Sequence, residues 1–149
     1  MKYILFVICI SFCKTSDAQS TEDSVKAAVN QLFIATKNAD TSLYSSSFTD
    51  SAILQTIITN EEGKLAVGNE AVADFANVIS KLRKNDVDER IQFDVVKIDG
   101  PLAIVWAPYK LYFKSKFSHC GVDSFQLIRK NGKWKIQYLI DTRRKQPCE

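Results

Sequence analysis

Asn131-Gly132 divides residues 117–144, FSHCGVDSFQLIRKNGKWKIQYLIDTRR, into two runs of strand-forming residues. Asn-Gly is the dipeptide best suited to a two-residue turn with positive φ at both positions, so the stretch predicts a β-hairpin. The turn sets Lys130 against Lys133, and the pairs follow outward: Arg129 with Trp134, Leu127 with Ile136, Phe125 with Tyr138 and Asp123 with Ile140. Gly121 then meets Thr142, and His119 meets Arg144. Side chains alternate along a strand, so these pairs share one face. That face is apolar near the turn and polar at its far end, where Asp123, His119, Thr142 and Arg144 collect. An apolar floor with convergent polar groups is the usual build of a small-molecule pocket.

Upstream, Lys2 precedes an apolar-leaning run from Tyr3 to Phe12, and Ser16-Asp17-Ala18 offers the small residues that a signal peptidase reads. The pattern predicts a signal peptide over residues 1–18 and a secreted or periplasmic domain over 19–149. The run is too short for a permanent membrane span; a buried N-terminal helix is the alternative. Residues 19–149 suffice for one domain with its own core, and no linker divides them. The whole chain carries 20 Lys+Arg against 17 Asp+Glu. Without the signal the balance is about +2, scattered except for Arg143, Arg144 and Lys145, which gives nucleic-acid binding no support.

Of the four cysteines, Cys120 and Cys148 lie outside the signal segment. In an exported chain such a pair predicts a disulfide. The hairpin register puts Cys120 on the outer face, opposite Arg143, and Pro147 can turn the tail back towards it. One histidine and two cysteines on different faces do not make a metal site, and neither a phosphate loop nor a nucleophile motif calls for a cofactor.

Hydroxyl and acidic residues at Ser20 to Asp23 predict a helix start, and Val25, Ala28, Val29, Leu32 and Phe33 form its apolar stripe to about Asn38. Asp40 caps a short second helix. Ala52 to Thr59 has the β-branched content of a strand, and Leu65 and Val67 form a shorter one. Gly68-Asn69 ends that strand and opens a third helix, whose stripe is Val72, Phe75, Ile79 and Leu82. After a charged loop over 84–88, a half-buried strand begins near Arg90, with a bulge suggested at Val95-Val96. Leu102 to Phe113 is the next long strand. If Lys114-Ser115 is a two-residue turn, Trp106 opposes Asp123 and Lys110 opposes His119 on the pocket face; with three residues, Ala107 and Tyr109 point in instead.

Helices grouped ahead of a meander predict an α+β domain, a curved antiparallel sheet wrapped like a cone around the N-terminal helices. Three markers, Phe48-Thr49-Asp50-Ser51-Ala52, Gly68-Asn69-Glu70-Ala71-Val72 and Asn131-Gly132-Lys133-Trp134-Lys135-Ile136, resemble the nuclear transport factor 2-like (NTF2-like) superfamily across essentially all of residues 19–149. Val105-Trp106-Ala107-Pro108-Tyr109, Ser118-His119-Cys120-Gly121-Val122 and Asp141-Thr142-Arg143-Arg144 resemble a secreted bacterial branch of lumazine-binding or unknown-function domains. The superfamily holds a ketosteroid isomerase, cyclases, dehydratases and epoxide hydrolases beside members that only bind. The position of the isomerase base falls on Thr56, whose hydroxyl cannot take a proton from carbon at neutral pH.

The leading expectation is therefore a secreted domain binding a small, ring-containing molecule, with Trp106, His119, Asp123, Tyr138, Thr142 and Arg144 around it. Trp106 and Tyr138 would stack on the ring. The first alternative is a dehydratase or cyclase in which His119 and Asp123 move protons, although four residues along a strand separate them by about 13 Å. The second is a homodimeric scaffold.

Overall fold

In the computed structural model, residues 17–59 and 62–148 are described, and the apolar leader run lies outside them. Helix α1 (Asp17–Asn38) carries Val25, Val29, Leu32 and Ala35 as its buried stripe. It begins a few residues before the expected cap, since neither Gly nor Pro interrupts the chain ahead of Ser20. Helix α2 (Thr41–Ser46) is capped by Asp40, whose Oδ1 accepts from the Leu43 amide at 2.8 Å. Strands β1 (Phe48–Thr59) and β2 (Leu65–Glu70) follow, then helix α3 (Val72–Ile79). Gly68 and Asn69 do not cap α3. They stay in β2 because β1 pairs with it as far as Leu54↔Glu70, and the cap position falls to Ala71.

The remaining strands are β3 (Val87–Ile91), β4 (Val95–Asp99), β5 (Leu102–Phe113), β6 (Lys116–Lys130) and β7 (Lys133–Thr142). The expected strand from Arg90 onward is two pieces: Ile91 pairs with Tyr109 but Val95 with Trp106, so one extra residue breaks the ladder between them. The sheet order is β2-β1-β7-β6-β5-β3, with β4 also on β5. It is mostly antiparallel, but β1 runs parallel to β7. The fold is α+β as expected; the sheet is mixed because β1 reaches its partner only after the chain has passed through the whole meander.

The β5–β6 and β6–β7 turns each have two residues. Asn131 and Gly132 have φ of 52° and 78°, and Lys114 and Ser115 have 48° and 64°, the left-handed pair that suits the strand twist. Near its turn the β6–β7 hairpin follows the expected register from Lys130↔Lys133 to Leu127↔Ile136. Gln137 is then left over as a bulge, and Phe125 pairs with Leu139, one place beyond Tyr138. Its side chain explains the bulge: the amide donates to the Ser51 carbonyl at 3.0 Å and the Oε1 accepts from Thr49 Oγ1 at 2.8 Å. A second bulge leaves out Ser118, between Leu111↔His119 and Tyr112↔Phe117. Bulged strands bend, so these insertions curve the sheet.

The inner face of β6 near the turn packs on α1. Phe125, Leu127 and Ile136 are fully buried with Val25 and Val29, and Phe33 meets Phe125 edge-on at 6.1 Å between centroids. Each such side chain contributes about 2 kcal/mol through the apolar surface it removes from water. Trp134 closes this end, its Nε1 donating to Ser24 Oγ at 3.1 Å.

Candidate functional site

Further from the turn the inner face stops being filled. A cavity of about 240 Å³ opens there between the sheet and the helices. Leu32 and Phe33 of α1, Tyr44 of α2, Phe75 and Val78 of α3, and Leu54 and Leu139 of the sheet make its apolar wall. Its other end holds Thr56, Glu70, Glu89, Tyr109, His119, Asp123, Asp141 and Arg143.

Asp141 sits at the centre of a hydrogen-bonded group. Its Oδ1 accepts from Thr56 Oγ1 at 2.5 Å, and its Oδ2 from Tyr109 OH at 3.1 Å and from Arg143 Nε at 2.9 Å. An Arg143 terminal nitrogen also donates to Thr56 Oγ1 at 3.1 Å. Each oxygen of this carboxylate therefore has a donor, and Arg143 balances its charge. Burial first, and then the negative charge of Asp141, push the Tyr109 phenol far up, so it remains a neutral donor.

Asp123, only 4% exposed, has no cation of its own. Its Oδ2 is buried and receives no hydrogen bond while the nearby carboxyls are ionised. Burial and then the charge of Glu89 raise its pKa well above the usual carboxylate range. Glu89 is raised as well, to about 7, by burial and then by Asp141. Two such groups hydrogen-bond to each other only if one keeps a proton, so the orphaned oxygen and the raised pair describe one arrangement: a shared proton. Burial, followed by repulsion from Arg143, lowers the His119 pKa and favours the neutral ring. That ring lies edge-on to Tyr109 at 5.7 Å.

The structure brings His119 and Asp123 to the cavity together with Thr56. Four other expected lining residues lie elsewhere, for one reason. Beyond Gln137 every β7 side chain trades faces, so Leu139, Asp141 and Arg143 point in where Tyr138, Thr142 and Arg144 were expected. Tyr138 instead donates to Gln55 Oε1 at 2.6 Å, Thr142 Oγ1 accepts from the Val122 amide, and Arg144 Nε donates to the Pro147 carbonyl. The Ser118 bulge does the same to β5. Trp106 opposes Ser124 and is 46% exposed, whereas Ala107 and Tyr109 point inward. Cys120 is bridged to Cys148, with Cα atoms 5.9 Å apart, and it faces Arg144 where Arg143 was expected.

Glu89 escaped the sequence reading because its segment was taken as a charged loop running into a strand near Arg90. The alternation Val87, Glu89, Ile91 would have placed it on the inner face.

The arrangement of helices packed into a curved sheet is shared by many solved structures. An NTF2-like protein of unknown function from Shewanella baltica OS155 is 17% identical, with TM-score 0.65 over 89% of this chain and 100% of its own. The fold is NTF2-like. A second NTF2-like protein of unknown function, from Silicibacter pomeroyi DSS-3, has TM-score 0.67 at 15% identity, covering 87% and 100% of the two chains. A proposed dehydratase of the NTF2-like family from Streptomyces avermitilis has TM-score 0.64 at 12% identity, again over 87% and 100%. No protein-family model matches the sequence, and no curated protein matches it. At these identities the likeness is one of NTF2-like fold alone.

The shared proton makes stability fall as pH rises. Glu89 and Asp123 have folded pKa values above those of the unfolded chain. Their stabilising contribution is full below the unfolded value near 4.5 and is lost as pH rises through about 7 for Glu89. His119 acts oppositely, because its lowered pKa costs stability as pH falls through the range near 6.5. Two raised carboxyls outweigh one lowered imidazole, so the ligand-free protein is expected to melt higher at pH 6 than at pH 8. Glu89→Gln should shrink that difference. A wild-type melting temperature that climbs from pH 6 to pH 8 would contradict the shared proton.

Proposed function

We propose that this domain binds a small, ring-containing molecule inside the cone. The observation that carries this reading is the cavity of about 240 Å³, apolar and aromatic along its helix side and hydrogen-bonding at its far end. Its volume lies just below the roughly 300–1,000 Å³ usual for drug-sized ligands, which suits a small one, and its polar groups converge on one spot. The aromatic surface comes from Phe33, Tyr44 and Phe75, not from the outward-facing Trp106 and Tyr138. A flat heterocycle such as a pterin, implied by the sequence resemblance, is one ring that this surface would suit. The setting we propose is the export compartment implied by the leader segment.

Ligand binding raises the melting temperature in proportion to the logarithm of ligand concentration. A panel of one- and two-ring compounds at millimolar concentration should contain at least one that raises it by several degrees. Val78→Trp, which fills the mouth from a half-exposed position, should abolish that shift and leave the circular dichroism spectrum unchanged. A panel with no stabilising member, or a shift that survives Val78→Trp, counts against the cavity as the site.

A catalytic reading has one observation in its favour: the Glu89 carboxyl, raised to about 7, is poised to exchange a proton near neutral pH. In that reading Glu89 and Asp123 form the acid-base pair, in place of His119 and Asp123. Loss of turnover in Glu89→Gln with ligand affinity retained would distinguish an enzyme from a binding domain. For self-association, the outer sheet face offers the exposed Ile104 and Trp106.

A further inference from the structure

Four acidic side chains, Glu70, Glu89, Asp123 and Asp141, line one small cavity against a single arginine. The charge of that arginine, Arg143, is paired with Asp141, and two of its nitrogens hold Asp141 and Thr56. Among the described residues no ion pair reaches Glu70, Glu89 or Asp123. The buried Asp123 Oδ2 stands without a donor in the wall of the same cavity. In the ligand-free protein the proton shared with Glu89 fills that gap; once it leaves, the buried carboxylates need another donor, which a ligand can supply.

We propose that the molecule bound in the cone is a small aromatic amine carried as its ammonium ion, its N–H groups donating to the Asp123 and Glu89 carboxyls while its ring lies among Phe33, Tyr44 and Phe75. This rests on the ligand-binding reading above and names the chemical class. An ammonium group supplies, in place of the shared proton, both donors and the positive charge that the ionised Glu89–Asp123 pair lacks. A carboxylate or phosphate ligand would bring a further negative charge beside four acids, against one arginine whose charge Asp141 already balances. A metal ion is a poorer match, since no group of side chains among the described residues has the arrangement to hold one.

Binding must then displace the proton that the pair shares. The other titratable groups lining the cavity are Tyr44, Glu70, Tyr109, His119, Asp141 and Arg143. The two tyrosines stay neutral, with pKa values raised by burial. His119 loses its charge as pH rises, which also favours a cation. Amine affinity therefore rises with pH through the range where the pair ionises and levels off above it.

The test compares matched ligands on the intact disulfide-bonded domain: 2-phenylethylamine and tryptamine against phenylethanol, indole-3-ethanol and 3-phenylpropionate. Calorimetry at pH 6 and pH 8, each in two buffers of different ionisation enthalpy, reads affinity and proton release together. The expected result is amine binding at least tenfold tighter than the matched alcohol, tighter at pH 8 than at pH 6, with protons released at pH 6 and no binding of the acid. Asp123→Asn should lose the amine preference and keep the alcohol, and Glu89→Gln provides a second reading should Asp123→Asn fail to fold. If alcohol or acid binds as tightly as amine, the class assigned here is wrong although a ligand site remains. If none of the three series binds and the ring-compound panel also fails, the binding reading itself falls.

Discussion

Gly121→Ala is expected to cost the fold about 3 kcal/mol or more, the upper range for inserting atoms where no space exists. A Cβ on Gly121 would lie 1.7 Å from the Thr142 carbonyl oxygen, 2.8 Å from its carbonyl carbon and 2.9 Å from a Tyr109 ring carbon. The first two are backbone atoms of β7, and no rotamer change moves them. Tyr109 pairs with Gly121 across the strands, and its one hydroxyl hydrogen is shared between the same Thr142 carbonyl at 3.0 Å and Asp141 Oδ2 at 3.1 Å. The glycine thus lets β7 close tightly over β6 where the polar group assembles. Urea denaturation of Gly121→Ala should show a markedly lower midpoint. The double variant Gly121→Ala/Tyr109→Ala should not recover it, because the carbonyl clash remains. A Gly121→Ala midpoint close to wild type would mean that β6 and β7 do not approach this closely.

The second large effect belongs to the Cys120–Cys148 bridge. It spans 28 residues, and loop-closure entropy in the unfolded chain gives a stabilisation of about 3–4 kcal/mol for such a loop. For a domain of this size that corresponds to roughly 10 °C in melting temperature. Cys148→Ser should fall by about that amount, and mild reduction of the wild type should match it. The effect should extend to the site. Cys120 and Arg144 exchange two backbone hydrogen bonds at 2.9 Å, and Arg143 is the residue between that bridge and Thr142. Loosening the tail should therefore weaken ligand binding as well as stability. Intact mass after alkylation without reductant reads the bridge directly: uptake of two alkyl groups by folded, oxidised protein would show free thiols and remove the effect.

The parts of the fold that follow from local chemistry were legible before any coordinates. Asn131-Gly132 announces its turn, Asp40 its cap, and Val25, Val29 and Leu32 their buried stripe. The β6 face bearing Phe125, Asp123, Gly121 and His119 was also readable, since it depends only on alternation inward from that turn. What escaped depends on contacts between distant segments. The Gln137 bulge is held by Thr49 and Ser51, which lie more than 80 residues away in sequence, and no pattern within β7 announces it. Glu89 was hidden for a different reason. A carboxyl on an inward position reads as a strand not yet begun, and only a partner such as Asp123 makes its burial tolerable.

The two bulges have a consequence for how this site changes in descent and in design. Each works by parity: a residue taken up outside the ladder reverses the in–out alternation for every later residue of the sequence. A substitution within the wall alters one group in the cavity, but a strand of the same length without the Gln137 bulge would present Tyr138, Ile140 and Thr142 in place of Leu139, Asp141 and Arg143 in a single step. An acidic chamber would become an aromatic and hydroxyl-bearing one with hardly a letter of the strand altered. Deletion of Gln137 itself, by contrast, would make the ladder regular and keep the wall. Changes that free or form the bulge, at Gln137 or at its holders Thr49 and Ser51, are therefore the ones that rewrite ligand choice on this scaffold. Two relatives of equal length aligned residue for residue, one bulged and one regular, would be read as sharing a wall they do not share.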